Sequence, residues 1–358
     1  MTPFLPLRTA RLTLRAFAAA DAPVLNAYRN DPEVARYQDW DLPVAPEATA
    51  GFVARQAGVD GPRAGEWVQL ALDHEGELVG DFAVGLDPLG GLATVGYSLR
   101  TEHQGRGYAT EALAALVDAL FARGVHRVGA TLDPENVASA MVLERVGFRY
   151  EGRARQAAPV RGEWLDDDRY ELLREDREEW LARPTGRPAE VRLVPVTPRN
   201  LAEVGRLATH HSQERFVAPM AGSFRDALVP AEVNGVPVVP WLRAVEADGE
   251  LAGFVMLAER TEAHPFPYLW RLLIDRRHQR RGIGGRVLRR LADDLRAAGS
   301  TELRVSWVPG RGGPEPFYLR HGFTPTGTVS DGEIEGSLPL VPPAAGTPEV
   351  AQLAARGS

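Results

Sequence analysis

The pattern of hydrophobic and polar residues in this 358-residue chain occurs twice, in the same order. In each half, a run rich in apolar and β-branched residues leads to a glycine-bearing turn, and apolar residues then recur every three or four positions. The first kind of run is typical of a strand and the second spacing predicts an amphipathic helix. The pattern therefore predicts a strand–turn–helix unit over 94–124 and again over 268–299.

Three pairs of similar segments recur at nearly one spacing. Gly80 and Gly253 lie in similar Glu-Leu-x-Gly segments and are 173 residues apart. The His-Gln segments at 103 and 278 are 175 residues apart, and so are the Gly-Phe pairs that begin at Gly147 and Gly322. The period is far too long for a solenoid, so the chain contains two copies of one domain type.

A segment rich in proline and glycine separates the two copies. Residues 182–189 include Pro184, Gly186 and Pro188, which is typical of a linker. A strand pattern restarts after it at Val191. We therefore expect a first domain over 1–181, a linker over 182–189, a second domain over 190–340 and a tail over 341–358.

Composition excludes several classes of protein. The chain is 44% apolar, as is ordinary for globular domains, and it has no cysteine. Disulfide scaffolds, cysteine nucleophiles and thiolate metal sites are thus excluded. No run approaches the roughly 18 apolar residues of a membrane span, and the N-terminus shows no export signal. We expect a soluble, cytoplasmic protein with no membrane partner. The net charge of −7 argues against nucleic acid and permits a cationic substrate.

The glycine-bearing turns are suited to binding an anion. Small residues let the backbone close around it, and N–H groups at a helix N-terminus point towards it. The dinucleotide pattern G-x-G-x-x-G fails because Thr110 and Val287 stand at its third glycine, and neither turn has a Walker Gly-Lys-Ser/Thr. A tight strand–helix connection is the alternative. The occurrence of the turn twice in one context favours the anion.

The two turns also resemble a known family. Gln104-x-x-Gly107-x-Ala109 and Gln279-x-x-Gly282-x-Gly284 resemble the Q/R-x-x-G-x-G/A signature of Gcn5-related N-acetyltransferases (GNAT), over about 1–180 and 190–340. The resemblance implies two tandem domains of α/β (α+β) class, each a mixed, mostly antiparallel sheet flanked by helices. Its central parallel strands would splay to admit the pantetheine of acetyl-CoA, the co-substrate. The residues implied in cofactor binding are Gln104, Gly105, Arg106, Gly107, Tyr108, Ala109, Thr110, Asn136, Gln279, Arg280, Arg281, Gly282, Ile283 and Gly284.

The two copies resemble different branches of this family. The first is similar to the RimJ/RimL-type ribosomal-protein alanine acetyltransferases in its segments 7–15 and 136–148. The second is similar to bacterial spermine/spermidine acetyltransferases in its segments 270–275 and 317–323. The cofactor loop does not recognise the amine acceptor, so the resemblance to a branch of the family indicates the acceptor only weakly.

The implied reaction is direct attack of a neutral amine on the thioester, which needs a proton donor for the departing thiolate. Tyr318, four residues before Gly322, stands where similar enzymes have a catalytic tyrosine; packing against the sheet is the alternative. The first copy has Leu143 there but keeps Asn136 and Ser139, which in the resembled branch contact pantetheine and can supply the donor. Either residue can instead cap the helix, and the two roles are compatible.

Each copy thus has a different part of the residue set that the family uses for catalysis and pantetheine binding. The second copy has Arg311 and Pro314 at the positions of Asn136 and Ser139, so activity of both copies stays open. No general base stands out, and no metal site is suggested. The run of three aspartates at Asp166–Asp168 is more typical of a solvated turn, and a lone loop histidine such as His264 is usually exposed. The candidate bases are Tyr97, Glu163 and Asp166–Asp168 in the first copy, and Glu259, Glu262, His264 and Asp275 in the second.

Aromatic and basic residues are candidates for the two substrate pockets. An aromatic face attracts a cation, although core packing is the commoner role; the aromatic candidates are Tyr37, Trp40, Trp67, Trp241, Phe266 and Trp270. Arginines near the second turn either contact the phosphates of CoA or form a surface patch; they are Arg276, Arg277, Arg280, Arg281 and Arg286. His103 and His278 are expected to be exposed.

The favoured function is acetyl-CoA-dependent N-acetylation of a primary amine. A small polyamine- or aminoglycoside-like amine is the leading acceptor class, followed by a protein N-terminus, and Tyr318 makes the second copy better equipped. The alternative is a non-catalytic or regulatory acyl-CoA-binding protein with one or both copies degenerate. The expected partners are acetyl-CoA and a small amine, and the chain is expected to be a monomer with an internal pseudo-dimer, or a homodimer.

Overall fold

The computed structural model describes residues 3–233 and 235–340. The chain divides into two compact units, Met1–Arg183 and Pro184–Ser358. Each unit is built on one mixed, mostly antiparallel sheet flanked by helices, which confirms the predicted fold class. The tail predicted over 341–358 lies outside the described residues.

The first unit has an eight-stranded sheet in the order β1-β2-β3-β4-β5-β6-β8-β7. Its strands are β1 (Leu7–Arg8), β2 (Thr13–Arg15), β3 (Trp67–His74), β4 (Glu77–Leu86), β5 (Leu92–Leu99), β6 (Arg127–Leu132), β7 (Arg149–Val160) and β8 (Glu163–Leu173). Its helices are α1 (Ala22–Arg29), α2 (Pro32–Ala35), α3 (Pro46–Gln56), α4 (Tyr108–Ala122), α5 (Val137–Val146) and α6 (Arg174–Ala182).

The second unit has a seven-stranded sheet in the order β16-β17-β15-β14-β13-β12-β9, and β10 and β11 form a separate hairpin. Its strands are β9 (Val191–Pro195), β10 (Glu232–Val233), β11 (Val236–Pro237), β12 (Pro240–Ala247), β13 (Glu250–Ala258), β14 (Tyr268–Ile274), β15 (Glu302–Trp307), β16 (Thr324–Ser330) and β17 (Glu333–Pro339). Its helices are α7 (Leu201–Val204), α8 (Met220–Leu228), α9 (Ile283–Ala297) and α10 (Glu315–Arg320).

The helices cover both faces of each sheet. The predicted apolar stripe of α4 is buried in the first core, where Leu113 and Leu116 are fully buried. In α9 the stripe includes Val287 and Leu291. Full burial of one such side chain contributes roughly 1.5–3 kcal/mol. The opposite faces are covered by α1 and α3 in the first unit and by the segment with α7 and α8 in the second.

The two central parallel strands of each unit are paired at one end only. β5 pairs with β6 at Leu92, Ala93 and Thr94. β14 pairs with β15 at Tyr268 and Leu269. Both strands continue beyond these ladders, so each sheet opens at its centre, as the resemblance implied.

A β-bulge distinguishes the opening of the second unit. Met256 and Leu257 on β13 face Arg271 and Leu269 on β14, so Trp270 is an extra residue in the ladder. The corresponding pairing of β4 with β5 has no such shift. A bulge bends its strand and re-aims side chains. Consequently Trp270 packs in the α7/α8 core and Arg271 also contacts α8, through an ion pair with Asp226.

Two interpretations of the sequence are wrong. Asp166–Asp168 are not in a turn but in β8, where Asp168 is buried and pairs with Arg153 at 2.8 Å. Core packing is also the wrong interpretation of Trp67, which is 62% exposed. It is the right one for Trp40, Trp241 and Trp270, which are half-buried and pack against hydrophobic cores. Within 3–233 and 235–340, no helix is long and apolar enough to cross a membrane.

Candidate functional site

The turns before α4 and α9 share one backbone conformation. Gly105 and Arg280 have φ angles of +74° and +61°, and Gly107 and Gly282 have +81° and +78°. This left-handed region costs a side-chain-bearing residue roughly 1–2 kcal/mol, whereas glycine adopts it freely. The recurrence of glycine at 107 and 282 therefore has a local, conformational cause.

These glycines leave backbone donors available at both helix starts. Gly107 and Gly282 are the N-caps of α4 and α9, and neither cap forms a side-chain hydrogen bond. The first N–H groups of a helix have no acceptor within the helix, and the helix dipole favours an anion beside them. Residues 104–110 and 279–284 thus form two loops that are suited to phosphate groups.

Gly284, the last small residue of the second motif, is small for a different reason. A Cβ on Gly284 would lie 3.2 Å from the ring of Phe317 on α10. The first unit has Val142 at the position of Phe317, and Ala109 at the position of Gly284 is buried. Packing between the two helices therefore explains why position 284 is small.

An arginine from the N-terminal segment of each unit lies beside its loop. Arg11 donates to the carbonyl oxygen of Arg106 at 3.1 Å and pairs with Glu111 at 2.7 Å. Its Nη2 lies 3.5 Å from the point that a Cβ on Gly107 would occupy. The Nε of Arg187 lies 3.8 Å from the corresponding point at Gly282. These guanidinium groups add positive charge at the loops.

Two arginines of the second loop region bind the chain itself. Arg281 is buried, and its Nε donates to the carbonyl oxygen of Gly186 at 2.8 Å. Arg286 donates to the carbonyl oxygen of Pro188 at 2.7 Å. Both bonds hold the segment predicted as a linker against the start of α9. A surface patch is therefore the wrong interpretation of Arg281.

The two histidines before the loops are buried, so their expected exposure is wrong. His103 and His278 are each 7% exposed. His103 stacks on Tyr108 with 6.3 Å between ring centroids. His278 Nδ1 lies 2.8 Å from a guanidinium nitrogen of Arg281. Burial lowers the pKa of His278, so its neutral ring accepts this hydrogen bond. The described residues contain no group of three or more metal-ligating side chains.

A cleft of about 1240 Å³ runs through the second unit. The loop 279–284 and α9 line one part of it, and the diverging ends of β14 and β15 line another. Tyr318 on α10 also lines it. The structure therefore brings the predicted loop and the predicted tyrosine together in one cavity.

Tyr318 lines this cleft, and its side chain is packed among aromatic rings. Its ring stacks on Trp307 with 5.5 Å between centroids and meets Phe317 edge-on. Among the described residues, none forms a hydrogen bond with the Tyr318 hydroxyl. Burial raises the pKa of Tyr318 above its ordinary value, so the phenol stays protonated. Packing and proton donation are compatible roles for this side chain.

An acidic residue that sequence reasoning missed lines the same cleft. The Ser306 hydroxyl donates to the Glu333 carboxylate, and both residues line the cleft. Glu333 begins β17, two residues after Asp331, which has a positive φ angle. The antiparallel pairing of β17 with β15 brings it into the cleft. The candidate bases proposed from sequence in this unit do not line the cleft; they are Glu259, Glu262, His264 and Asp275.

The first unit brings together Tyr97 and Ser139 at its opening. Asn136 is the N-cap of α5 and accepts from the Ser139 amide at 3.2 Å. Ser139 is in the first helical turn and is not itself the cap. Its hydroxyl donates to the Tyr97 hydroxyl at 2.8 Å. Leu143, at the position of Tyr318, is fully buried in the core.

A second acidic residue that sequence reasoning missed is buried on the other face of the first sheet. Asp81 on β4 is 2% exposed and accepts hydrogen bonds from Tyr28 and Gln69. An Arg29 nitrogen lies 3.9 Å from its carboxylate. Burial, the largest effect, raises the pKa of Asp81. The apolar Phe254 has the corresponding register position on β13.

Comparison with known proteins assigns both halves to one family. The acetyltransferase (GNAT) domain matches residues 11–149, and the acetyltransferase (GNAT) family matches residues 207–323. The N-acetyltransferase p20 of Bacillus licheniformis is 28% identical over 48% of this chain and 97% of its own length. The L-methionine sulfoximine/L-methionine sulfone acetyltransferase of Pseudomonas paraeruginosa is 30% identical over 43% of this chain and 90% of its own length.

A solved structure also matches about half of the chain. RimJ from Mycobacterium smegmatis, in complex with CoA-disulfide, is 25% identical, with a TM-score of 0.42, over 51% of this chain and 97% of its own. The N-terminal half matches RimJ/RimL-like acetyltransferases, in agreement with the sequence. The comparisons do not show the resemblance of the C-terminal half to spermine/spermidine acetyltransferases.

Proposed function

Because this chain belongs to the acetyltransferase (GNAT) family, whose fold binds acetyl-CoA, we propose that it transfers the acetyl group of acetyl-CoA to a primary amine and that its second unit is better equipped to do so. The observation that carries this proposal is the continuity of one cleft from the loop 279–284 to Tyr318, whose hydroxyl has no hydrogen-bond partner in 3–233 or 235–340. The loop supplies donors for phosphate groups, and the tyrosine supplies a proton at the other part of the cavity.

The loops are proposed to hold the diphosphate of acetyl-CoA. Their uncapped amide groups and positive-φ glycines fit an anion. We assign residues 104–110 together with Asn136 to the site of the first unit, and residues 279–284 to that of the second. Arg187 adds a guanidinium group beside the second loop, and charge-assisted hydrogen bonds to phosphate are stronger than neutral ones.

Tyr318 and Glu333 are proposed to move the two protons of the reaction. The neutral amine attacks the thioester carbonyl, a C–N bond forms and the C–S bond breaks. Tyr318 donates a hydrogen bond and then its proton to the departing sulfur, and Glu333 accepts the proton that the amine loses. The carboxylate already accepts from Ser306, which orients it. General acid–base catalysis of this kind contributes typically about 10²–10⁴-fold.

In the first unit the donor role is proposed for Ser139. Its hydroxyl donates to Tyr97, and the Tyr97 hydroxyl donates back to the Ser139 carbonyl oxygen at 3.1 Å. Both hydroxyl hydrogens are therefore already used within the pair, and one bond has to break before a thiolate can be protonated. This pair and the apolar Leu143 favour a second candidate function for the first unit alone, acyl-CoA binding without catalysis.

The acceptor class proposed from the sequence is a small polyamine- or aminoglycoside-like amine, with a protein N-terminus second. Release of the CoA thiol, measured with a panel of such amines, tests the proposed function. The chain has no cysteine, so any free thiol comes from CoA. We expect amine-dependent thiol release. Tight acetyl-CoA binding without release for any amine would contradict the enzymatic function and support acyl-CoA binding alone.

A further inference from the structure

We propose that the second unit acetylates an acceptor that carries an anionic group beside its amine, as an α-amino acid does, and that Arg271 binds the anionic group while Glu333 binds the ammonium. This inference rests on the proposed amine acetylation. It replaces a purely cationic acceptor with a zwitterionic one. The carrying observation is a pair of opposite charges that line one cleft without neutralising each other.

Arg271 reaches the cleft because of the bulge in β14. Its Nη2 donates to Asp226 at 2.8 Å and its Nη1 to the carbonyl oxygen of Trp270 at 2.8 Å. Its Nε is buried and has no hydrogen-bond partner within the described chain. A guanidinium group has five N–H donors, so these contacts leave donors for a ligand. A planar fork of donors suits a carboxylate.

The positive charge of Arg271 is only partly compensated. Asp226 also pairs with Arg225, at 2.9 Å through its other carboxylate oxygen. One carboxylate therefore faces two guanidinium groups, which leaves an excess of positive charge at this wall of the cleft. An acceptor made only of amines, such as a polyamine, meets repulsion there.

The negative charge of Glu333 is also uncompensated. Its neighbour Glu335 pairs with Arg304 at 3.5 Å, whereas Glu333 forms no ion pair with any residue of 3–233 or 235–340. Its contact is the hydroxyl of Ser306. A carboxylate in this state attracts the ammonium of an incoming acceptor.

Tyr268 lines the same cleft as Arg271 and Glu333. Burial is the main cause of the raised pKa of Tyr268, and the charge of Glu333 raises this pKa while that of Arg271 lowers it. The residue proposed for the ammonium, the residue proposed for the anion and the proposed proton donor therefore line one cleft together with Tyr268. A ligand with both charges is complementary to this arrangement.

Matched pairs of acceptors test the inference on the full chain. Phenylalanine with phenethylamine, and lysine with cadaverine, differ by the carboxylate. Calorimetric titration into protein saturated with CoA measures binding, and thiol release from acetyl-CoA measures transfer. We expect each amino acid to bind at least about tenfold more tightly than its decarboxylated amine, as for a hydrogen-bonded charge pair.

Two variants assign the effect to Arg271. Arg271→Met should reduce the preference for the amino acid to about one, while Arg271→Lys should retain part of it. The control is Arg290→Met, which removes one positive charge from an exposed pair with Asp294 on α9, outside the cleft. This control should leave the preference unchanged. Glu333→Gln should weaken both members of a pair alike.

The outcomes separate this inference from the proposed function. Equal or tighter binding of the decarboxylated amines to the natural chain would overturn the zwitterionic acceptor, and so would an unchanged preference in Arg271→Met with CoA binding intact. Preferential binding of the amino acids without thiol release for any acceptor would support this ligand class and contradict acetyl transfer.

Discussion

The hydroxyl of Ser139 donates a hydrogen bond of 2.8 Å to the hydroxyl of Tyr97 across the opening of the first sheet. The second unit has Pro314 and Leu272 at these positions, and its phenol is Tyr318, on the helix. The tyrosine of the first pair is therefore on strand β5, whereas Tyr318 is on helix α10. In the first unit the hydroxyl is satisfied within the chain, and in the second it has no partner among the described residues.

The first prediction concerns the proton donor. Tyr318→Phe removes the phenolic proton and keeps the packing against Trp307, so we expect thiol release to fall about 100-fold. Acetyl-CoA affinity should change less than twofold. Steady-state kinetics and calorimetry check both. Ser139→Ala is the comparison in the first unit and should retain most of the rate; the reverse ranking of the two variants would place the turnover in the first unit.

The second prediction is the pH dependence of transfer. Burial raises the pKa of Tyr318 above its ordinary value of about 10. A raised pKa means that the donor keeps its proton up to higher pH. We therefore expect kcat to show no loss between pH 7 and about pH 10 from this group. If kcat instead fell with rising pH already below about pH 9, and this fall disappeared in Tyr318→Phe, the assignment of Tyr318 as the proton donor would be contradicted.

The third prediction identifies which loops bind acetyl-CoA. Gly107→Ala and Gly282→Ala place a side chain at φ +81° and +78° in the loops. Gly124→Ala and Gly299→Ala place one at φ +92° and +78° beyond the C-terminal ends of α4 and α9, in open space. All four variants should lose about 1–2 kcal/mol of stability. Only the loop variants should weaken acetyl-CoA binding, by about tenfold or more at their own unit.

The number of acetyl-CoA sites per chain, measured by calorimetry, distinguishes the possible outcomes. Two sites in the natural chain, one lost in each loop variant, would show that both units bind acetyl-CoA. A single site that only Gly282→Ala removes would show that the first unit does not bind it. Equal loss of affinity in the Gly124→Ala and Gly299→Ala controls would mean that backbone strain alone, and not the loop, affects binding.

The fourth prediction concerns the buried carboxylate Asp81. Tyr28→Phe removes a hydrogen-bond donor from it, and an incompletely satisfied buried group costs about 1–3 kcal/mol. Tyr37→Phe is the matched control, because the Tyr37 hydroxyl donates only to the Glu135 carbonyl oxygen, at 3.3 Å on the exposed surface. It should change stability by less than about 0.5 kcal/mol. Urea denaturation measures both.

The effect of Tyr28→Phe should depend on pH. The folded pKa of Asp81 lies above its ordinary value, mainly because of burial. As pH rises from the ordinary value to the folded one, the unfolded chain releases this proton first, so the folded state loses stability. Loss of the Tyr28 donor raises the folded pKa further. We therefore expect a greater destabilisation at pH 8 than at pH 5, and an equal effect at both would exclude titration of Asp81.

The position of Glu333 shows why part of the site could not be predicted. Glu333 begins β17, which follows the positive-φ residue Asp331. That this strand pairs with β15, and so brings Glu333 beside Ser306, depends on contacts between residues far apart in the chain. The same holds for Asp81 and its distant partners Tyr28 and Gln69.

The sequence by itself determined the two copies, the order of their elements and the two anion-suited loops. These features follow from hydrophobic periodicity and from the backbone preference of glycine at 107 and 282, which act over a few residues. Only the tertiary structure decided the burial of His103 and His278, the bulge that places Arg271, and the meeting of Tyr318 and Glu333 in one cleft. Strand order, register and packing set those, because they bring together side chains that no local pattern relates.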